Sequence, residues 1–431
     1  MAPLLPTESL PRPELARLQA ERLRATLARA ARVPVYRARL AEAGVGPESV
    51  RGPEDVARLP FTTKADFRAA YPFGLLAVPP SDLVRIHASS GTTGKPTVVG
   101  YTRRDLEVWT EVMVRTLRAG GVTPADVVQN AYGYGLFTGG LGFHYGAEAL
   151  GAAVIPMSGG FTERQILALT DFGSTVLCCT PSYALHLAEA MAEAGLAREA
   201  LRLRVGFFGA EPWTEAMRDA IEARLGLTAF NVYGLSEVIG PGVSVECPER
   251  RGMHVAEDHF LAEVLDPGTL QPVPPGTTGE LVLTTLTKEA MPLLRYRTRD
   301  LTTLDPAPCP CGRTLARLGR IMGRSDDMLI IRGVNVYPSQ VEHALLQVPG
   351  LAPHYLLVIR REHALDALEV QVEVAAEAPA AAPDGAAALA ARARRRILEV
   401  VGVSVEVRVL APKTLERSAG KAKRVLDLRR G

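Results

Sequence analysis

Nine consecutive residues, Ser89-Ser90-Gly91-Thr92-Thr93-Gly94-Lys95-Pro96-Thr97, are all hydroxyl-bearing residues, glycine, lysine or proline. Each type suits a phosphate: glycines let backbone N–H groups close around an anion, hydroxyls add donors, and Lys95 brings a mobile positive charge. The run predicts a loop that handles a nucleoside triphosphate. It does not fit a Walker A loop, because Ser89 stands where the first glycine belongs and Pro96 where Ser or Thr belongs. Pro96 also disfavours helix at Lys95, where a Walker A lysine opens one. A plain Ser/Gly/Thr linker would lack the Gly-Lys-Pro ending. It would also lack the flanks Leu83-Val84-Arg85-Ile86-His87 and Thr97-Val98-Val99-Gly100-Tyr101, which read as strands.

Other residues stand out by type. Of 49 basic residues only six are lysines, at 64, 95, 288, 413, 421 and 423. Where arginine is the default cation, a lysine suggests a need for a compact point charge. Lys95 and Lys421 both follow glycine and are the two to watch, although compositional bias alone would also favour arginine. Cys309-Pro310-Cys311-Gly312, with Cys247 and His254, offers three thiolates and an imidazole, a common structural zinc set. A turn with two incidental thiols is the alternative. Cys178 and Cys179 lie in an apolar run and read as buried strand residues.

The elements that must position these groups follow from patterning. At 431 residues, 47% hydrophobic and 22% charged, the chain suits two or more globular domains. A net charge of +2 argues against a nucleic-acid partner. No apolar run reaches about 18 residues and the N-terminus lacks a signal-like core, so no membrane association and a cytoplasmic location are expected. Residues 10–45 carry helical periodicity. From 127 to 234 strands and helices alternate, with helices at 138–150, 162–171, 182–195 and 213–224, which implies parallel strands with ligands at their carboxyl ends. Shorter strands between turns at 240–320 read as antiparallel or barrel-like. Beyond Arg324 a compact strand and helix mixture follows, with the Ala/Pro-rich stretch 375–391 expected as a surface loop running into a helix that ends near Val401.

Four further segments complete the loop: Tyr233-Gly234-Leu235-Ser236-Glu237, Tyr296-Arg297-Thr298-Arg299-Asp300, Gly323-Arg324-Ser325-Asp326-Asp327 and Arg417-Ser418-Ala419-Gly420-Lys421. In this order they resemble the core motifs of the adenylate-forming superfamily of acyl-CoA synthetases, adenylation domains and luciferases. Within it, the runs Tyr132 to Gly140, Glu257 to Phe260 and Asp326 to Pro338 resemble the phenylacetate-CoA ligase family.

That resemblance implies an α/β fold. A large domain over 1–324 would combine parallel α/β sheets with a smaller barrel-like β region, and a small mobile α+β domain would span 325–431. The implied reaction joins an aromatic acid, phenylacetate foremost, to AMP at the expense of ATP and then passes the acyl group to coenzyme A. Ser89, Ser90, Gly91, Thr92, Thr93, Gly94 and Lys95 would hold the phosphates, and Glu237 would hold Mg²⁺. Tyr233 would face adenine, with Gly209, Ala210, Glu211 and Pro212 opposite. Asn231, Val232, Gly234, Ser236 and Arg324 would complete the nucleotide site, and Asp300 would take the ribose hydroxyls. Lys421 is the implied catalytic cation between α-phosphate and carboxylate, with Lys423 its competitor; Asp326 is the implied hinge, and Arg332 and Gly333 line the coenzyme A channel. Tyr132, Phe137 and Phe143 could enclose an aromatic ring, with Gly139 leaving space for it, although ordinary core packing explains these rings as well. Another aryl acid such as benzoate, a different acyl acceptor, or a non-catalytic nucleotide-binding regulatory module remain alternatives. The partners expected are small molecules, with a homodimer left open.

Overall fold

The computed structural model describes residues 4–89, 96–327, 329–331, 334–362, 365–375, 383–417 and 424–429. The helical periodicity over 10–45 resolves into two helices, α1 (Arg12–Ala30) and α2 (Pro34–Ala43). Pro34 ends the first because its ring cannot continue an upstream helix, yet it suits the first turn of the second. Gly44 closes α2 at φ 62°, a left-handed conformation that glycine adopts without a Cβ penalty. After α3 (Lys64–Ala69), the strands β1 (Arg85–Ser89) and β2 (Thr97–Tyr101) pair antiparallel with Ser89 opposite Thr97. The first and last residues of the phosphate-type run, Ser89 and Thr97, are therefore cross-strand partners. Of that run, residues 90–95 lie outside the described residues.

The main sheet begins beyond α4 (Arg103–Ala119). It takes β3 (Val127–Asn130), then α5 (Thr138–Leu150), β4 (Ala153–Ile155), α6 (Thr162–Asp171), β5 (Val176–Cys179), α7 (Pro181–Glu193), β6 (Val205–Gly209), α8 (Glu215–Leu225) and β7 (Thr228–Leu235). Its order is β13-β14-β9-β8-β7-β6-β5-β3-β4, in which β3 to β7 run parallel. The antiparallel remainder is β8 (Gly240–Glu246), β9 (Met253–Val255), β13 (Leu304–Asp305) and β14 (Arg317–Leu318). β7 is thus the strand at which parallel pairing gives way to antiparallel. Cys178 and Cys179 are fully buried in β5, as the apolar run predicts.

A second antiparallel sheet orders β10 (Phe260–Leu265), β11 (Gly279–Thr285), β12 (Tyr296–Thr302) and β15 (Gly323–Arg324). The C-terminal part has its own core, from Leu329 to Val407, separate from the N-terminal cores. It contains the hairpin β16 (Leu329–Ile331) and β17 (Val334–Val336), then α9 (Pro338–Leu346), β18 (Leu351–Glu362), β19 (Leu365–Val374), α10 (Pro383–Val401), β20 (Glu406–Leu410) and β21 (Val425–Asp427). The surface loop expected over 375–391 is helical from Pro383 onward. Alanine is the best helix former and proline is tolerated at the first position, so composition that resembled a loop builds a helix instead. No helix of the described residues is long and apolar enough to cross a membrane.

Candidate active site

The carboxyl ends of β6 and β7 meet the β12–β15 pair at one place. β6 ends at Gly209, where an added Cβ would stand 2.2 Å from the Val232 carbonyl oxygen, so only glycine lets β6 and β7 approach. Ala210 follows at φ 69°, a sparsely populated conformation for a residue with a Cβ and a mark of a functionally constrained turn. Glu211 turns away and accepts the Ser182 amide at 2.8 Å, satisfying an N-terminal donor of α7.

On β7, Tyr233 donates its hydroxyl to Asp300 Oδ2 at 2.6 Å. Burial, and then the neighbouring Asp300 charge, push this phenol well above its ordinary pKa, so it stays a donor. Arg324, paired with Asp300 across β12 and β15, donates Nη1 to Asp300 Oδ1 at 3.1 Å. The same guanidinium holds Asp326 with Nε at 2.9 Å and Nη2 at 3.0 Å. The implied ribose carboxylate and the implied hinge residue therefore share one arginine.

Asn231 and Val232 within β7, and Ser236 and Glu237 just beyond it, are all buried. The Ser236 hydroxyl bonds that of Thr138 at 3.1 Å, and Tyr296 lies close enough to Glu237 to feel its charge. Gly234 passes so close to Gly240 that a Cβ would fall 1.9 Å from its carbonyl oxygen. Beneath this turn lies Lys288, 3% exposed, donating to the Val238 carbonyl at 2.8 Å and seated 4.2 Å from the Tyr101 ring centroid. Burial pulls its pKa down to about 8, against the raising influence of Asp105 and Glu237. In the sequence Lys288 is one of six lysines, and neither it nor Thr138, Tyr296 or Tyr101 carries a local pattern that assigns it a role in the site.

The β1–β2 hairpin joins the aromatic run directly. Leu136 accepts the Ala88 amide at 2.9 Å and faces His87 Nδ1 at 3.0 Å. The Ser89 hydroxyl, at the base of the phosphate-type loop, is buried without a hydrogen-bond partner among the described residues. Tyr132 stacks on Phe143 with centroids 5.2 Å apart, and Phe143 contacts Phe207. Phe143 is 1% exposed, so core packing accounts for its ring, while Phe137 is half-buried. A Cβ on Gly139 would lie 2.6 Å from the Phe137 ring, so the space beside this glycine is taken by Phe137 itself.

The run Glu257-Asp258-His259-Phe260 is structural. Both Asp258 oxygens take Arg115, at 2.8 and 2.9 Å, and Glu257 takes Arg12 at 2.6 Å. Cys247, His254, Cys309 and Cys311 come together elsewhere, at the end of β8 remote from Glu237. Lys421, Lys423, Arg332 and Gly333 lie outside the described residues. On either side of Lys421, Arg417 is clamped by Glu373 at 2.7 and 2.8 Å, and Arg424 lies over the Tyr355 ring at 4.4 Å.

Residues 16–286 match the model of the AMP-binding enzyme family, and residues 333–429 match that of the AMP-binding enzyme C-terminal domain. A phenylacetate-coenzyme A ligase of Thermus thermophilus is 55% identical, over 98% of each chain. The chain belongs to the AMP-binding enzymes, among the phenylacetate-coenzyme A ligases. Its fold is likewise close to a solved 2-hydroxyisobutyryl-CoA ligase in the postadenylation state, with 32% identity, a TM-score of 0.92, and 99% and 94% of the two chains covered. Against the same ligase in the thioesterification state the TM-score is 0.72, at 33% identity and with 98% and 92% covered. Sequence and coverage being alike, the structure superposes more closely on the postadenylation-state ligase than on the thioesterification-state one. Three contacts join the C-terminal part to α7: His354 Nε2 lies 2.9 Å from Glu189, Arg417 lies 3.7 Å from Glu189, and Lys413 pairs with Glu193.

Proposed function

We infer that the enzyme couples phenylacetate to coenzyme A in two steps. In the first, a carboxylate oxygen attacks the α-phosphorus of ATP, the bond to the bridging oxygen breaks, and pyrophosphate leaves. In the second, the coenzyme A sulfur attacks the acyl carbon and AMP leaves. The observation that carries this reading is the identity of more than half the residues with a phenylacetate-coenzyme A ligase over nearly the whole of both chains.

Two anions must meet in the first step, so the protein's task is alignment and charge neutralisation. The loop from Ser89 to Lys95 grips the β- and γ-phosphates; the Ser89 hydroxyl, without a partner among the described residues, is a donor suited to them. Asp300, already oriented by Tyr233 and Arg324, accepts from the ribose hydroxyls. Gly209 to Pro212 and Asn231 to Ser236 bracket adenine. Glu237 offers hard oxygen to Mg²⁺, whose remaining positions phosphate and water would fill; when bound, the ion neutralises phosphate charge. Lys421 sits between α-phosphate and substrate carboxylate, where a compact ammonium serves better than a planar fork. The second step follows rotation of the 325–431 domain about Asp326, which withdraws Lys421 and brings Arg332 and Gly333 to the thiol's path. Phe137, Tyr132 and Gly139 bound the ring of the acid. A reducing cytoplasm suits five unpaired cysteines.

Pyrophosphate exchange into ATP across a panel of acids tests this. Exchange with phenylacetate well above benzoate and aliphatic acids is expected. Strongest exchange with another acid would reassign the substrate, and no exchange with any acid would favour a regulatory nucleotide-binding role.

A further inference from the structure

Cys247, His254, Cys309 and Cys311 take no part in the adenylating site, yet the fold buries them together. Cys247 follows β8, His254 lies on β9, and the other two lie between β13 and β14. One donor atom from each lies within 4.8 Å of the other three. Cys247 Sγ is 3.8 Å from Cys309 Sγ, and Cys311 Sγ is 3.5 Å from His254 Nε2. A tetrahedral ion with Zn–S near about 2.3 Å and Zn–N near about 2.0–2.1 Å has S···S edges of about 3.8 Å and S···N edges of about 3.5 Å. A disulfide would require about 2.05 Å. His254 Nδ1 faces the Leu315 carbonyl at 3.3 Å, so its N–H points outward and the Nε2 lone pair faces the sulfurs.

We propose that these four residues bind one structural Zn²⁺ in a closed three-cysteine, one-histidine site. The surroundings fit the charge. Three thiolates and Zn²⁺ leave one net negative charge, and two buried arginines attend it. Arg313 Nη1 reaches Cys311 Sγ at 3.6 Å. Arg317 keeps Nε and Nη1 buried beside Cys309, without a conventional hydrogen-bond partner among the described residues.

The fold needs a clip here. β13 and β14 have two residues each and β9 has three, too few ladder bonds to hold a sheet end alone. The ion would close a span of 62 residues between Cys247 and Cys309 and fix the loop on which Arg313 takes Glu8 at 2.8 Å. All four ligands being buried protein groups, no position is left for substrate, so the role is stability.

The test is metal analysis of the full chain produced with zinc and purified without chelator, followed by titration with a thiol-blocking mercurial and a chromogenic chelator. Expected are about one zinc per chain, its release in step with blocking of three thiols, and a lower melting midpoint after release. Cobalt exchanged into the same protein should show tetrahedral visible bands and thiolate-to-cobalt charge transfer. Cys309→Ser should lower zinc affinity at least about tenfold. Less than about a tenth of an equivalent in folded protein, zinc content unchanged by Cys309→Ser together with Cys247→Ser, or a Cys247–Cys309 disulfide by mass spectrometry would overturn the proposal.

Discussion

Tyr233, Asp300 and Arg324 act as a unit whose parts are 67 and 24 residues apart, and each constrains the next. The residue types were readable because family motifs carry them; that one arginine ties Asp300 to Asp326 was not, since only the β12–β15 pairing brings them together. Lys288 gives the sharper lesson. Its scarcity as a lysine was visible in the sequence, but its burial under the Glu237 turn depends on contacts with Val238 and Tyr101 that no local pattern encodes. A buried lysine with a pKa near 8, against about 10.4 when unfolded, makes the folded state bind fewer protons between those values. Stability relative to Lys288→Met should therefore rise as pH increases from about 8 to about 10.4, and be flat below 8. Denaturant midpoints of both proteins across that range check this, and parallel curves would contradict it.

At the level of elements, the alternation from 127 to 234 was legible because buried parallel strands and amphipathic crossover helices have different periods. Helices expected at 138–150 and 162–171 are found there residue for residue. Composition misled over 383–391, where alanine could equally mean loop or helix and packing of α10 on the C-terminal core decided it. The approach of β6 to β7 rests on one atom's absence at Gly209. Gly209→Ala should destabilise by about 1–3 kcal/mol, since neither the backbone oxygen of Val232 nor the strand can yield without parting the ladder. Pyrophosphate exchange should fall with it, because Ala210 and Tyr233 ride on those strand ends. An unchanged melting midpoint would show that the strands separate freely.

At the scale of the whole molecule, the structure is closer to the postadenylation-state ligase than to the thioesterification-state one. Glu189 on α7 carries two of the contacts between α7 and the C-terminal part, and its partner His354 is 165 residues away, beyond the reach of sequence patterning. Glu189→Ala should slow pyrophosphate exchange about fivefold, the effect of roughly 1 kcal/mol of coupling, while thioester formation from supplied phenylacetyl-adenylate is kept or improved. Equal loss in both half-reactions would mean that Glu189 serves folding alone. The two-step reaction is directly measurable as a whole. Purified enzyme given phenylacetate, ATP, Mg²⁺ and coenzyme A should yield phenylacetyl-CoA and AMP in equal amounts, resolved by chromatography and mass. ADP as the nucleotide product, or AMP released without thioester, would contradict it.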